Sequence, residues 1–191
     1  MNDGHMKEGG APHLVLPVGA RDRVQGSGEA AVTLLEYGDF ACGHCAEAFP
    51  VVKEVTRWLR GELRYMFRHF PDERKHPHAL RAAEAAEAAG AQGRFWEMHD
   101  LLCERSPVLD AVHLERYAQE LGLDLERFGR EMRAHVYLEK VREDMTSGAE
   151  SGVTRTPTFF VNGVQHRGEA DLDGLLAAIE EAGNRATGGV N

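Results

Sequence analysis

The 191-residue sequence predicts an α/β fold in which a strand-free block of helices lies between two strand-bearing ends. Three observations carry this. Ala31–Tyr37 (AVTLLEY) and Leu63–Phe70 (LRYMFRHF) are short apolar or alternating runs separated by one helical stretch. That order implies a parallel pair joined by a right-handed crossover. Residues 77–148 show helical periodicity and no convincing strand, and strands return at Thr158–Val161 (TFFV), followed by the hairpin signal Asn162-Gly163.

The elements follow in order. Residues 1–20 are aperiodic, with scattered Gly and His, and are expected to form a flexible tail. Regular structure is expected from Arg21–Gly26, before a Gly-Ser-Gly loop. Ala31–Tyr37 reads as a buried strand closed by Gly38-Asp39. From Cys42 onward, Ala46, Phe49, Val52, Val55 and Leu59 recur at three- and four-residue spacing, the apolar face of a helix. Pro50 is expected to kink that helix, because its ring removes a donor and crowds the preceding turn. Gly61 closes it. Within the block, Ala79–Ala89, Phe95–Leu102, Val112–Leu121, Leu125–Met132 and Val136–Thr146 read as five helices. Val164–Arg167 completes the hairpin, and Asp171–Glu181 closes the fold with Leu172, Leu175, Leu176 and Ile179 on one side. Trp58 and Trp96 are expected in the core.

Bulk properties exclude several function classes. With 22 basic and 31 acidic residues the net charge is −9, against the clustered basic face that nucleic acid requires. No apolar run approaches the roughly 18 residues of a membrane span. Met1–Gly10 is polar and has no apolar core of a secretory signal, so the expected location is cytoplasmic, or exported if a leader has been removed. Three cysteines are too few for a disulfide-stapled scaffold at this length.

Cys42-Gly43-His44-Cys45 falls at a strand-to-helix junction. Unpaired N–H groups and the helix dipole there favour a thiolate on Cys42, and His44 is a candidate cationic neighbour. Cys45, one turn on, is placed to attack a mixed disulfide held on Cys42. A structural zinc clip would need a second ligand pair, and none occurs in matching spacing, so no metal is expected. Glu36, in an otherwise apolar strand, is a candidate proton shuttle for Cys45. Thr156-Pro157 precedes a strand and is a candidate cis peptide whose backbone could bind an extended substrate, although trans is the default for such a bond. Cys103 is expected to be a buried small hydrophobe.

LLEYGDFACGHCAEAFP, FRHFPDERKHPHALRAAEAAEAAGAQGRFWEMHDLL and SGVTRTPTFFVNG, in this order, resemble the DsbA-like branch of the thioredoxin superfamily. The resemblance runs from about Asp22 to Ala182. It implies a thioredoxin-like fold, a central mixed sheet flanked by helices, with the core at residues 21–75 and 149–185, an all-helical insertion at 76–148 and a short tail at 186–191. It implies Cys42 as the exposed nucleophile, Cys45 as the resolving thiol, Glu36 as the buried acid, Pro50 as the helix-kinking proline and Pro157 as a cis-proline facing the disulfide. His69, His76, His78 and His99 also belong to the family pattern, with His76 and His99 read as capping or packing residues. The activity implied is thiol–disulfide exchange on protein or peptide thiols and disulfides, with an unidentified redox partner and no cofactor beyond the dithiol. Its direction stays open, because Gly43-His44 matches the dipeptide of protein disulfide isomerase rather than that of the periplasmic oxidants, which also commonly carry valine where this chain has Thr156. The alternative is a non-catalytic protein of the same fold that holds clients or a metal.

Overall fold

A computed structural model describes residues 11–187. Along the chain run β1 (Arg23–Gly26), β2 (Val32–Gly38), α1 (Gly43–Trp58) and β3 (Leu63–His69). The helices α2 (Ala79–Gly90), α3 (Phe95–Glu104), α4 (Ala111–Glu120), α5 (Leu125–Arg133) and α6 (Leu138–Glu150) follow, then β4 (Thr158–Val161), β5 (Val164–Gln165) and α7 (Leu172–Thr187). The sheet order is β1-β3-β2-β4-β5. β2 and β3 are parallel, across the α1 crossover, and the other pairings are antiparallel, so the sheet is mixed. Asn162 and Gly163 both take positive φ, 47° and 80°, the turn that a two-residue hairpin selects.

The two-residue period of β2 divides its side chains between two cores. Val32 and Leu34 pack with Tyr65, Phe159 and Val161 under α1 and α7, where Val52, Val55, Leu175 and Ile179 are buried. Leu35 and Tyr37 pack on the opposite face with Met66 and Phe160. A third core lies among α2–α5 and reaches the sheet through Phe40 and Phe67.

Several expectations are corrected. The part of the expected tail that is described is held against the fold: Leu14 N–H donates to Gly163 O (2.8 Å), Gln165 N–H to Pro12 O (2.9 Å) and Val15 N–H to Ser151 Oγ (3.0 Å). Buried Arg68 donates to the carbonyls of Leu16 and Pro17, at 3.0 and 3.1 Å. Residues 1–10 and 188–191 lie outside the described residues. α6 ends at Glu150 rather than Thr146, because Ser147 and Gly148 are fixed by packing. Ser147 Oγ lies 2.8 Å from Tyr37 OH, and a Cβ on Gly148 would come within 2.7 Å of the Phe70 ring. Trp58 is 55% exposed, not core. The buried stripe of α1 is Cys45, Ala48, Val52 and Val55, and its continuation is position 59, so position 58 is rotated off it. Trp96 is partly buried and donates its Nε1–H to Val24 O at 3.0 Å.

Candidate active site

The end of β2 and the start of α1 bring the two thiols together. Cys42 occupies the N-cap position of α1 with extended backbone (φ −83°, ψ 122°), and its carbonyl accepts from the N–H groups of Cys45 and Ala46. A serine or aspartate commonly fills that position and caps the helix with oxygen; here a thiol stands at the positive end of the helix dipole. Cys42 and Cys45 are free thiols, both largely buried.

The two thiols have opposite electrostatics. Cys42 is held down to about 5, chiefly by a hydrogen bond from Cys45, with further help from the Thr156 side chain and the backbone N–H groups of Cys45 and His44, against the opposing effect of burial. Cys45 is pushed far up, because it donates to Cys42, because it is buried, and because the charge of Glu36 lies within reach. The neighbours therefore favour one thiolate and one thiol.

Glu36 follows Leu34 by two positions and so faces α1, 5% exposed. Burial lifts its carboxyl to about 7, partly offset by a hydrogen bond from Tyr65. The Tyr65 hydroxyl donates to Glu36 Oε2 at 2.7 Å. The Thr156–Pro157 peptide is cis, and Thr156 O lies 3.5 Å from Cys42 Sγ. Cys42 and Thr156 share the wall of a groove with Phe70, Lys75, Met145 and Val153. A second groove, on the other side of Thr156 and Pro157, is lined by Val51, Phe159, His166 and Glu169.

Cys42, Cys45, Thr156 and Pro157 thus meet at one place, with Glu36 buried within electrostatic reach of both sulfurs. His44 does not point its ring at Cys42. The imidazole is exposed, with Nδ1 3.3 Å from Glu47 Oε2, and the group from this residue that reaches the sulfur is its backbone N–H. Gly43 is exposed and faces open space. Pro50 is an exposed residue inside α1, two turns beyond Cys42, and the helix runs through it. Cys103 is buried among α3 and its neighbours, and burial pushes its thiol up.

Sequence reasoning missed two residues. Asp39, 2% exposed, accepts from Ala41 N–H (2.8 Å) and Asp72 N–H (3.1 Å) and pairs with His76 Nδ1 (2.7 Å). Its own N–H donates to Cys45 Sγ at 3.4 Å. An acid directly after a buried strand and shortly before the cysteine pair was the available signal. Tyr65 was the other; as an alternate residue of β3 it could have been placed on the face of Glu36. Among the described residues, no group of three or more His, Cys, Asp or Glu is arranged to hold a metal ion.

Comparison with known proteins adds the following. A family model described as Thioredoxin matches residues 20–181. A curated relative, the Na(+)/H(+) antiporter NhaA 1 of Salinispora arenicola, is 45% identical over 170 residues, covering 88% of this chain and 26% of that protein. The chain therefore spans about a quarter of that relative's length. Oxidised BdbD from Bacillus subtilis superposes with a TM-score of 0.80 at 22% identity, covering 92% of this chain and 97% of that one. A thioredoxin-like oxidoreductase from Silicibacter pomeroyi superposes with a TM-score of 0.77 at 27% identity, covering 86% and 93%.

Proposed function

Because the chain belongs to the thioredoxin family, in the DsbA-like branch that its motifs resemble, we propose that it is a thiol–disulfide oxidoreductase working through Cys42 and Cys45. The observation that carries this reading is the opposed electrostatics of two thiols three residues apart: Cys42 held near 5 and Cys45 pushed up. Exchange needs one thiolate that attacks and leaves well, and a second thiol that stays protonated until its turn.

In the reducing direction the Cys42 thiolate attacks a client sulfur, forming a Cys42–client disulfide and releasing the first client thiolate. Cys45 then loses its proton to Glu36 and attacks Cys42. The enzyme disulfide forms, the second client sulfur leaves, and two electrons have passed to the client. Client oxidation is the same sequence reversed. Stabilising the Cys42 thiolate stabilises the reduced enzyme, which favours accepting electrons from clients. Clients would lie across Thr156 and Pro157, in the grooves on either side.

Among the described residues no helix is long and apolar enough to cross a membrane. The chain spans about a quarter of the antiporter it matches, and we assign ion transport to no part of it.

The test is to trap clients with Cys45→Ser, which should accumulate mixed disulfides on Cys42, and to follow alkylation of Cys42 against pH. The expected alkylation midpoint is near pH 5, far below the roughly 8.5 of a free thiol. A free-thiol midpoint together with no trapped disulfide would sink the reading. Equimolar zinc lost with Cys42→Ser would replace it with a metal-binding one.

A further inference from the structure

We propose that Tyr65 is a positioning residue for the resolving half of the exchange: its hydroxyl holds the buried Glu36 carboxylate in the ionised form that takes the proton of Cys45. This rests on the thiol–disulfide reading above.

Glu36 and Tyr65 sit on adjacent parallel strands, Tyr65 in register with Leu34, so both face α1. Their side chains are 5% and 3% exposed, and the Tyr65 hydroxyl donates to Glu36 Oε2 at 2.7 Å. Among the described residues this is the carboxylate's one hydrogen bond, and no Lys, Arg or His forms an ion pair with it. A buried carboxylate is normally paired with a cation or given several donors. Here a single neutral donor serves instead.

The choice of donor has a chemical consequence. A lysine or arginine would hold Glu36 ionised by a full charge and leave it a weak base. A phenol hydrogen-bonds the ionised form more strongly than the neutral one without adding charge, so it offsets part of the burial penalty. The carboxyl then titrates near neutrality, where it can both take and return a proton. Tyr65 is kept protonated, because burial and the charge of Glu36 push its hydroxyl well up. Its ring is held against Trp96 and His99, with centroids 5.4 and 6.4 Å away, which sets the direction of the hydroxyl.

In the step itself the Cys45 S–H bond breaks and the proton passes to Glu36. The Cys45 sulfur bonds to the Cys42 sulfur as the Cys42–client bond breaks, and the client sulfur leaves with the electron pair. Tyr65 exchanges neither proton nor electron.

The experiment uses the aromatic disulfide 5,5′-dithiobis(2-nitrobenzoate), which releases one coloured thiolate when Cys42 attacks and a second when Cys45 resolves. Tyr65→Phe should raise the pH midpoint of the second release by about one to two units. It should slow that release roughly tenfold at pH 7, while the first release stays within about twofold of the parent protein. Site-specific 3-fluorotyrosine at position 65, a stronger donor of nearly the same shape, should move the midpoint the opposite way and covers the case in which Tyr65→Phe fails to fold. The proposal is overturned if neither variant moves the second midpoint. It is also overturned if Tyr65→Phe slows both releases alike, or slows the second as much in a Glu36→Gln background. Loss of both releases in the parent protein would instead remove the oxidoreductase reading.

Discussion

Cys42 and Glu36 are both titratable groups in nearly enclosed surroundings, yet the fold moves them in opposite senses relative to water. Cys42 meets donors and comes down to about 5, whereas Glu36 meets mainly apolar walls and goes up to about 7. Their effects on stability oppose each other. Glu36, whose carboxyl is raised in the fold, contributes stability that is full below pH 4.5 and lost as pH rises through 7. Cys42, whose thiol is lowered, contributes stability that is full above pH 9 and lost as pH falls through 5, and only in the reduced protein. The oxidised protein should therefore lose stability between pH 4.5 and 7, and Glu36→Gln should flatten that slope. Denaturant midpoints of both proteins across this window are the check. A slope unchanged by Glu36→Gln would assign it to another group. Glu36 was legible in the sequence as an acid in an apolar strand. Its partner Tyr65 was not, because a tyrosine in an alternating strand is ordinary until the register shows which acid it faces.

At the scale of elements, the junction between β2 and α1 depends on Asp39. One carboxylate fixes the turn at Ala41, the loop at Asp72 and the ring of His76, while the same residue's N–H reaches Cys45. Asp39→Ala should cost about 1–3 kcal/mol in chemical denaturation, since it leaves three part-buried donors without their acceptor. It should also broaden the alkylation profile of Cys42 by loosening the turn before it. The strand–helix–strand unit, the helical block and the Asn162-Gly163 hairpin were readable from the sequence because each rests on local periodicity or turn chemistry. Details set by distant packing were not. The end of α6 depends on Tyr37 and Phe70. The exposure of Trp58 follows from a stripe that continues at position 59, and at the start of the same helix Ala46 and Phe49, read as core-facing, are only partly buried, while Cys45 and Ala48 are buried. The orientation of His44 depends on Glu47, one turn along, a pairing that the tetrapeptide alone does not contain.

Across the whole molecule, the helical block is tied to the sheet by a buried ionic cluster. Glu87 of α2 pairs with His69 of β3 (3.0 Å) and with Arg23 of β1. His69 and Arg23 hold its carboxyl down to about 2 against the penalty of burial. Glu87→Ala leaves His69 and Arg23 without their anion and should cost about 3–5 kcal/mol. Because Glu87 is buried, that loss should be nearly the same at low and high salt, unlike a surface pair. Urea titrations at two ionic strengths test this; a loss that fades with salt would show that the cluster is open to solvent. The contribution is full above pH 4.5 and lost as pH falls through 2, so the link between block and sheet persists through ordinary acidification.

The segment at residues 12–14 that runs beside β5 has a further effect. A sheet normally ends in a row of unpaired amides and carbonyls, a template for strand addition, domain swapping or fibril growth. Here Pro12 O and Leu14 N–H occupy that row on one side, and on the other the Trp96 indole takes the carbonyl of Val24 in a strand only four residues long. Both rims are blunted, so an extended chain finds little to zip onto there. That lowers the risk that two copies of the chain join edge to edge.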